Sequence, residues 1–284
     1  MKVLVPVDKG PESQLALRYA CHLFENQEWA DLDALYVKPD VVEMTPESVY
    51  APFHSAAGLE KTIDAEAAQV GQRIRSVCNE WVSGKMECEP IMAVGEPADE
   101  ILHAAETGDY DLIVLGSHGR SSLRGFLLGT VHAKILHHAR QPVLIVRDFR
   151  PIQRVLIAYR GSQCDQGALK FVAPLLANRN SEITILHVQE TERGETEESA
   201  QACLLQGDET LKQLGHTPRT KMAKGDFVDE ILKDVVVERY DLIVLGAYGH
   251  KRPKYLKVIS DEALNLVRWT TRPVLVYRDK SEQL

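Results

Sequence analysis

The stretch Asp111-Leu112-Ile113-Val114-Leu115-Gly116 recurs letter for letter as Asp241-Leu242-Ile243-Val244-Leu245-Gly246, 130 residues later. Four apolar residues in a row, closed by a glycine, read as a strand buried on both faces, the habit of a parallel sheet. Two flanking blocks repeat in the same order. Lys2-Val3-Leu4-Val5 returns as Arg154-Val155-Leu156-Ile157, and Gln141-Pro142-Val143-Leu144-Ile145-Val146-Arg147-Asp148 returns as Arg272-Pro273-Val274-Leu275-Val276-Tyr277-Arg278-Asp279. Three ordered blocks mark a duplicated domain. The offset falls from 152 to 130, so the second copy lacks about 22 residues in its middle. Most of the excess lies in Lys38–Lys61 of the first copy, where periodicity is weak. Pro151 punctuates a short polar linker, which predicts domains at 1–149 and 152–284.

Around the repeated strand each copy alternates strand and helix. In the first copy, Val3–Val7 reads as a strand, followed by a helix with Ala16, Tyr19, Ala20, Leu23 and Phe24 on one face. Leu32–Val37 is a second strand, Ala65–Val82 a second helix, and Pro90–Val94 a third strand. Pro97, a residue favoured at the first helical position, opens the next helix. After Leu112–Leu115 come a helix from Thr130 to about His138 and the strand Val143–Val146. This order predicts α/β domains in which doubly wound, Rossmann-like layers enclose a five-stranded parallel sheet.

Composition sets the outer limits. At 284 residues, 44% hydrophobic and 26% charged, the chain is globular rather than disordered. No apolar run approaches the ~20 residues of a membrane span, and the apolar opening Val3–Val7 is too short for a signal-peptide core. Five scattered cysteines without a C-x-x-C pair fit a reducing compartment and argue against a disulfide framework or a cysteine zinc site. A net charge of −8 argues against nucleic-acid binding. That charge is one-sided: residues 1–150 hold 14 Lys and Arg against 22 Asp and Glu, whereas the remainder holds 19 of each.

In open α/β sheets a ligand sits beyond the carboxyl ends of the strands, where strand order reverses. The loop after Leu115 is placed there. It runs Gly116-Ser117-His118-Gly119-Arg120-Ser121-Ser122-Leu123-Arg124-Gly125-Phe126-Leu127-Leu128-Gly129-Thr130, a G-x2-G-x9-G-T spacing. Its glycines allow positive φ and close backbone approach to a ligand, and Thr130 can cap the following helix. The free amides of a helix start attract anions, so a phosphate chain is the natural occupant.

These residues, with Val131-His132-Ala133-Lys134-Ile135-Leu136 and the opening Val5-Pro6-Val7-Asp8, Ser13 and Ala16-Leu17, resemble the universal stress protein signature. The resemblance spans both copies. It implies a sheet of order 3-2-1-4-5 and, in the family's nucleotide-binding branch, bound ATP with or without magnesium. By that pattern Asp8 and the end of strand two near Val37 meet the ribose and adenine. Gly116, Gly119, Arg120, Gly129 and Thr130 surround the phosphates, with Pro6, Val7, His118 and Val131 beside them. It also implies pairing of the two domains within the chain, with the strands ending in Val146 and Tyr277 as contact edges and a homodimer of whole chains as a further option.

The second copy departs from this pattern. Its loop runs from Gly246 to Ser260, with Ile259 in place of the third glycine and a basic stretch from His250 to Lys257. Arg160 is the gapless counterpart of Asp8, and Tyr159 that of Val7. The reading is therefore one ATP per chain, held by the first copy. His132, His137 and His138 do not share a helical face, so they do not read as a zinc site.

No Walker motif, kinase catalytic loop, G-x-S-x-G elbow, H-x-G-H or S-G-G-x-D-S is present. Asp8 and Asp111 could at most assist slow hydrolysis of metal-bound ATP. The leading reading is a cytoplasmic, ATP-binding stress-response regulator that acts on a protein partner. A non-nucleotide interaction module and a slow ATP hydrolase are the alternatives.

Overall fold

The computed structural model describes residues 1–25, 27, 29–40, 56–81, 88–117, 129–248 and 259–278. The chain divides into two units, one drawn from Met1–Ser117 with Gly129–Ala139, the other containing Arg140–Leu284.

The first unit contains β1 (Lys2–Pro6), α1 (Pro11–Leu23), β2 (Asp31–Lys38), α2 (Ala56–Trp81), β3 (Cys88–Val94), α3 (Pro97–Thr107), β4 (Leu112–Gly116) and α4 (Thr130–His138). Its strands lie in the order β3-β2-β1-β4 and run parallel, with Pro6 opposite Leu35 and Leu4 opposite Ile113. Val3, Leu4 and Val5 of β1, and Leu112, Ile113 and Val114 of β4, are fully buried. Both strands are covered on two faces, which is why neither shows an alternating pattern.

The repeated Asp at the foot of β4 is structural. Asp111 Oδ2 accepts the Lys2 amide at 2.9 Å, and in the second repeat Asp241 Oδ2 accepts the Arg154 amide at 3.0 Å. Each aspartate fastens the start of one strand to its neighbour. Asp111 therefore stands at the amino end of β4, a strand length of roughly 16 Å from Gly116. That corrects the expectation that Asp111 could assist metal-bound ATP, because the ligand end of a parallel sheet is the opposite one.

Helix α2 starts at Ala56, nine residues before the sequence pattern places it. Its buried stripe begins with Leu59 and Ile63 and continues through Ala67, Val70, Ile74 and Val77. Charged residues at Glu60, Lys61 and Asp64 dilute the first two turns and hide the period.

The cysteine reading needs a second correction. Cys78 on α2 and Cys88 at the start of β3 form a disulfide with Cα atoms 5.7 Å apart. The sequence places them ten positions apart with no motif, whereas the helix-to-strand reversal brings their Cα atoms within bridging distance. The cysteine pattern therefore no longer speaks for a reducing compartment. Cys21, Cys164 and Cys203 form no disulfide.

The second unit contains β5 (Val143–Val146), β6 (Arg154–Ala158), α5 (Gln163–Leu176), β7 (Glu182–Gln189), α6 (Glu197–Gln213), β8 (Arg219–Lys224), α7 (Phe227–Glu238), β9 (Leu242–Gly246), α8 (Asp261–Trp269) and β10 (Val274–Tyr277). Strands β8-β7-β6-β9-β10 follow one another in space and pair in parallel. Within this repeat that is the 3-2-1-4-5 order of a doubly wound sheet.

β5 ends the first repeat in sequence, yet it pairs antiparallel with β10, placing Leu144 opposite Leu275. These are the two strands the resemblance singled out as contact edges. Sequence repeat and compact unit thus divide differently at this strand. Among the described residues, no helix is long and apolar enough to cross a membrane.

Candidate nucleotide site

Strand β1 lies between β2 and β4, so strand order reverses there. The register puts Pro6 opposite Leu35, which brings Asp8, just past the end of β1, level with Val37 near the end of β2. Pro6, Val7, Asp8, Val37 and Gly116 thus gather at the carboxyl ends of three adjacent strands. Val7 is buried and donates its amide to the Leu35 carbonyl at 2.8 Å, so it contributes packing and backbone. Gln141, a buried polar residue, lies outside this group.

Asp8 is exposed. Its Oδ1 accepts the Gly10 amide at 2.9 Å and the Ser13 hydroxyl at 2.6 Å. This tether holds the carboxylate at the mouth of the β1–α1 turn. Among the described residues no hydrogen bond reaches Oδ2, which leaves one carboxylate oxygen to accept from a ligand hydroxyl.

The glycines act differently from the sequence reading. A Cβ built on Gly116 would lie 2.2 Å from the Glu12 carbonyl oxygen and 2.8 Å from the Ser13 nitrogen. Gly116 is therefore glycine so that the first turn of α1 can close against β4, and the approach it permits is to a helix. Gly129 has φ −60° and ψ 160°, an extended conformation open to any residue. The expected need for positive φ does not hold at Gly129; what a side chain there would take is space.

Thr130 also departs from expectation. It is the first helical residue of α4, Gly129 is the N-cap, and among the described residues no side chain caps this helix. Thr130 is exposed and Val131 partly so. The helix is fixed instead by His132, a buried residue that the sequence reading missed as a positioning group. Its Nε2 donates to the Gly116 carbonyl, 2.5 Å away, and so joins the start of α4 to the end of β4. His118, Gly119 and Arg120 lie outside the described residues.

A further set of polar groups went unread in the sequence. Glu66 of α2 accepts from the Tyr36 hydroxyl at 3.3 Å and from Lys9 Nζ at 3.3 Å. Arg73, two turns further along the same face, donates to the Lys9 carbonyl at 3.4 Å. Burial, reinforced by Glu66, pushes the Tyr36 phenol up to about 12. Lys9, Glu66 and Arg73 edge an open groove of about 430 Å³. Only the adjacency of Lys9 to Asp8 was visible in the sequence, because α2 reaches this point from more than fifty residues away.

The second repeat is built differently at the same place. Ser260 is the N-cap of α8, and its Oγ accepts the Ala263 amide at 3.2 Å. Ile259 is 1% exposed. Here the helix start is capped by its own side chain, where α4 leaves it uncapped. Gly249 and the basic stretch His250–Lys257 lie outside the described residues. Among the described residues, no group of three or more His, Cys, Asp or Glu could hold a metal ion.

The model of the Universal stress protein family matches this chain twice, over residues 1–147 and 151–278. The chain belongs to the universal stress protein family. It carries two such domains in tandem. The universal stress protein YxiE of Bacillus subtilis is 37% identical over 150 residues, which is 51% of this chain and 98% of YxiE. Slr1230 of Synechocystis is 30% identical over 176 residues, covering 60% of this chain and 59% of its own. A universal stress protein structure from Archaeoglobus fulgidus superposes along almost the whole chain, covering 98% of each, with TM-score 0.72 at 22% identity. That last likeness speaks for the fold.

Proposed function

We propose that the chain is an ATP-binding regulator of the stress response and that its first repeat holds the nucleotide. The observation that carries this reading is the uncapped start of α4 facing the switch point where Asp8 keeps a free carboxylate oxygen. The two features complement opposite ends of a nucleotide. Amides in the first turn of a helix, with the positive end of its dipole, favour phosphate oxygens. A carboxylate oxygen accepts from ribose hydroxyls, and the half-buried Val37 offers an apolar edge to a base. A magnesium ion would travel with the phosphates, and Asp8 is a described carboxylate at this strand end. His118, Gly119 and Arg120 complete the proposed set by sequence.

In this reading the second repeat does not share the task, because the Ser260 hydroxyl already occupies the Ala263 amide, one of those a phosphate would need. Nucleotide occupancy then sets which surface the first repeat presents to a protein partner.

Calorimetric titration of the full chain with MgATP tests the site. One equivalent is expected, and Gly129→Ile should abolish it. The extended backbone at Gly129 lies in a region open to isoleucine, and an unchanged melting temperature of the variant without nucleotide would assign loss of binding to the site rather than to the fold. Undiminished affinity in that variant removes the site assignment.

A further inference from the structure

In the second repeat Arg160 stands where the first has Asp8, two residues beyond the end of β6. It is 5% exposed. A guanidinium stays charged at any pH a folded protein meets, so a cation is buried there. Its environment does not neutralise it. One Nη donates to the Gly246 carbonyl at 3.4 Å, and the guanidinium carbon sits 4.4 Å from the centre of the Phe227 ring. Nε has no partner.

The adjacent acid is already engaged. Asp165 Oδ2 accepts the amides of Arg160 and Ser162 and the Ser162 hydroxyl, while Oδ1 accepts the Gly246 amide. No ion pair joins Arg160 to a carboxylate among the described residues. A buried charge without a counter-ion costs several kcal/mol, and a single ring face and one long hydrogen bond offset only part of it.

A second buried guanidinium lies across the strand end. Arg278 follows β10 and is 2% exposed, with its guanidinium 5.8 Å from the Tyr248 ring centre. β9 separates β6 from β10, and Tyr277 is level with Gly246. Arg160 and Arg278 therefore flank the segment Gly246–Tyr248 from opposite sides.

We infer that the second repeat binds a small oxyanion at the carboxyl ends of β6, β9 and β10, with Arg160 as its principal ligand. The occupant has at least two acceptor oxygens on one centre, as a phosphate group has, to meet the Nε–H and Nη–H edge of Arg160. It is not a nucleotide held as in the first repeat. The acceptor that would meet a ribose there, Asp8, is here a donor.

The test is thermal denaturation of the full chain in anion-poor buffer at fixed ionic strength, titrated with inorganic phosphate and separately with succinate. All chains carry Gly129→Ile, so the site proposed for the first repeat is silent. The expected result is a saturable rise in melting temperature with phosphate, lost in Arg160→Met. Without phosphate, Arg160→Met should melt at or above the parent, since it removes an uncompensated buried charge. Arg160→Lys should fold and bind phosphate at least tenfold more weakly, lacking the fork. A rise with succinate alone would keep the site and make its ligand a carboxylate. No rise with either anion, or a rise that survives Arg160→Met, overturns the proposal. So does an anion-free melting temperature for Arg160→Met well below the parent's, because Phe227 and Gly246 would then suffice for the charge.

Discussion

Replacing Gly116 by alanine tests whether this glycine serves the fold or a ligand. The added Cβ would lie 2.2 Å from the Glu12 carbonyl oxygen, 2.4 Å from its carbon and 2.8 Å from the Ser13 nitrogen. All three are backbone atoms of the first turn of α1, so no side chain can swing aside. Reaching ordinary contact requires that turn to withdraw by about 1 Å or more. Overpacking of this kind costs about 1–3 kcal/mol. Its upper half is expected here, because the same turn carries Ser13, whose hydroxyl bonds Asp8.

For a chain of this size a loss of about 2–3 kcal/mol lowers the melting temperature by roughly 5–10 °C. Gly71→Ala in the middle of α2 is the matched control. Its new Cβ would come no closer than 3.7 Å to the Arg75 side chain, and helix propensity predicts a gain of about 0.5–1 kcal/mol. Scanning calorimetry of the full chain without nucleotide reads both. A Gly116→Ala loss below about 0.5 kcal/mol, or a Gly71→Ala protein less stable than Gly116→Ala, would refute the account of why position 116 is glycine.

Two further outcomes follow from the described structure. Reducing the Cys78–Cys88 bridge, or the double change to serine, should cost up to about 3 kcal/mol, the chain-entropy value for a closed loop of this length; equal urea midpoints for oxidised and reduced chains would show the bridge to be idle. Tyr36 and Tyr240 have phenols pushed up to about 12 by burial, and burial also raises Tyr110 and Tyr159. Above pH 10 the unfolded chain releases these protons while the folded chain keeps them, so stability present below pH 10 should fall steadily towards pH 12. A Tyr240→Phe variant should flatten that fall, and an unchanged slope would contradict the assignment.

The fold was legible because its signals are local and repeated. Leu112–Leu115 announced a buried parallel strand, Pro97 opened α3 where expected, and α4 ran from Thr130 to His138 as the pattern indicated. The start of α2 was not legible, since charges at 60, 61 and 64 mask a stripe that begins at Leu59. At the site, the strand-end residues Pro6, Val7, Asp8, Val37 and Gly116 came together as the topology required. Their individual reasons did not follow from spacing. Whether a glycine clears a helix or a ligand depends on what faces it, and the sequence does not say that Glu12 faces Gly116. The Cys78–Cys88 pair and the Glu66 bonds to Tyr36 and Lys9 depend on where α2 lies against the sheet, which no motif encodes. Asp111 was misread for a related reason. A conserved-looking acid beside a glycine loop in sequence can sit at the far end of the intervening strand.

The central claim is that this duplicated chain has one working nucleotide site. Mass spectrometry of the small molecules released from the purified native protein tests it most directly. The account predicts ATP or ADP at about one per chain, absent from protein carrying Gly129→Ile. Two nucleotides per chain, or one that survives Gly129→Ile, would contradict it.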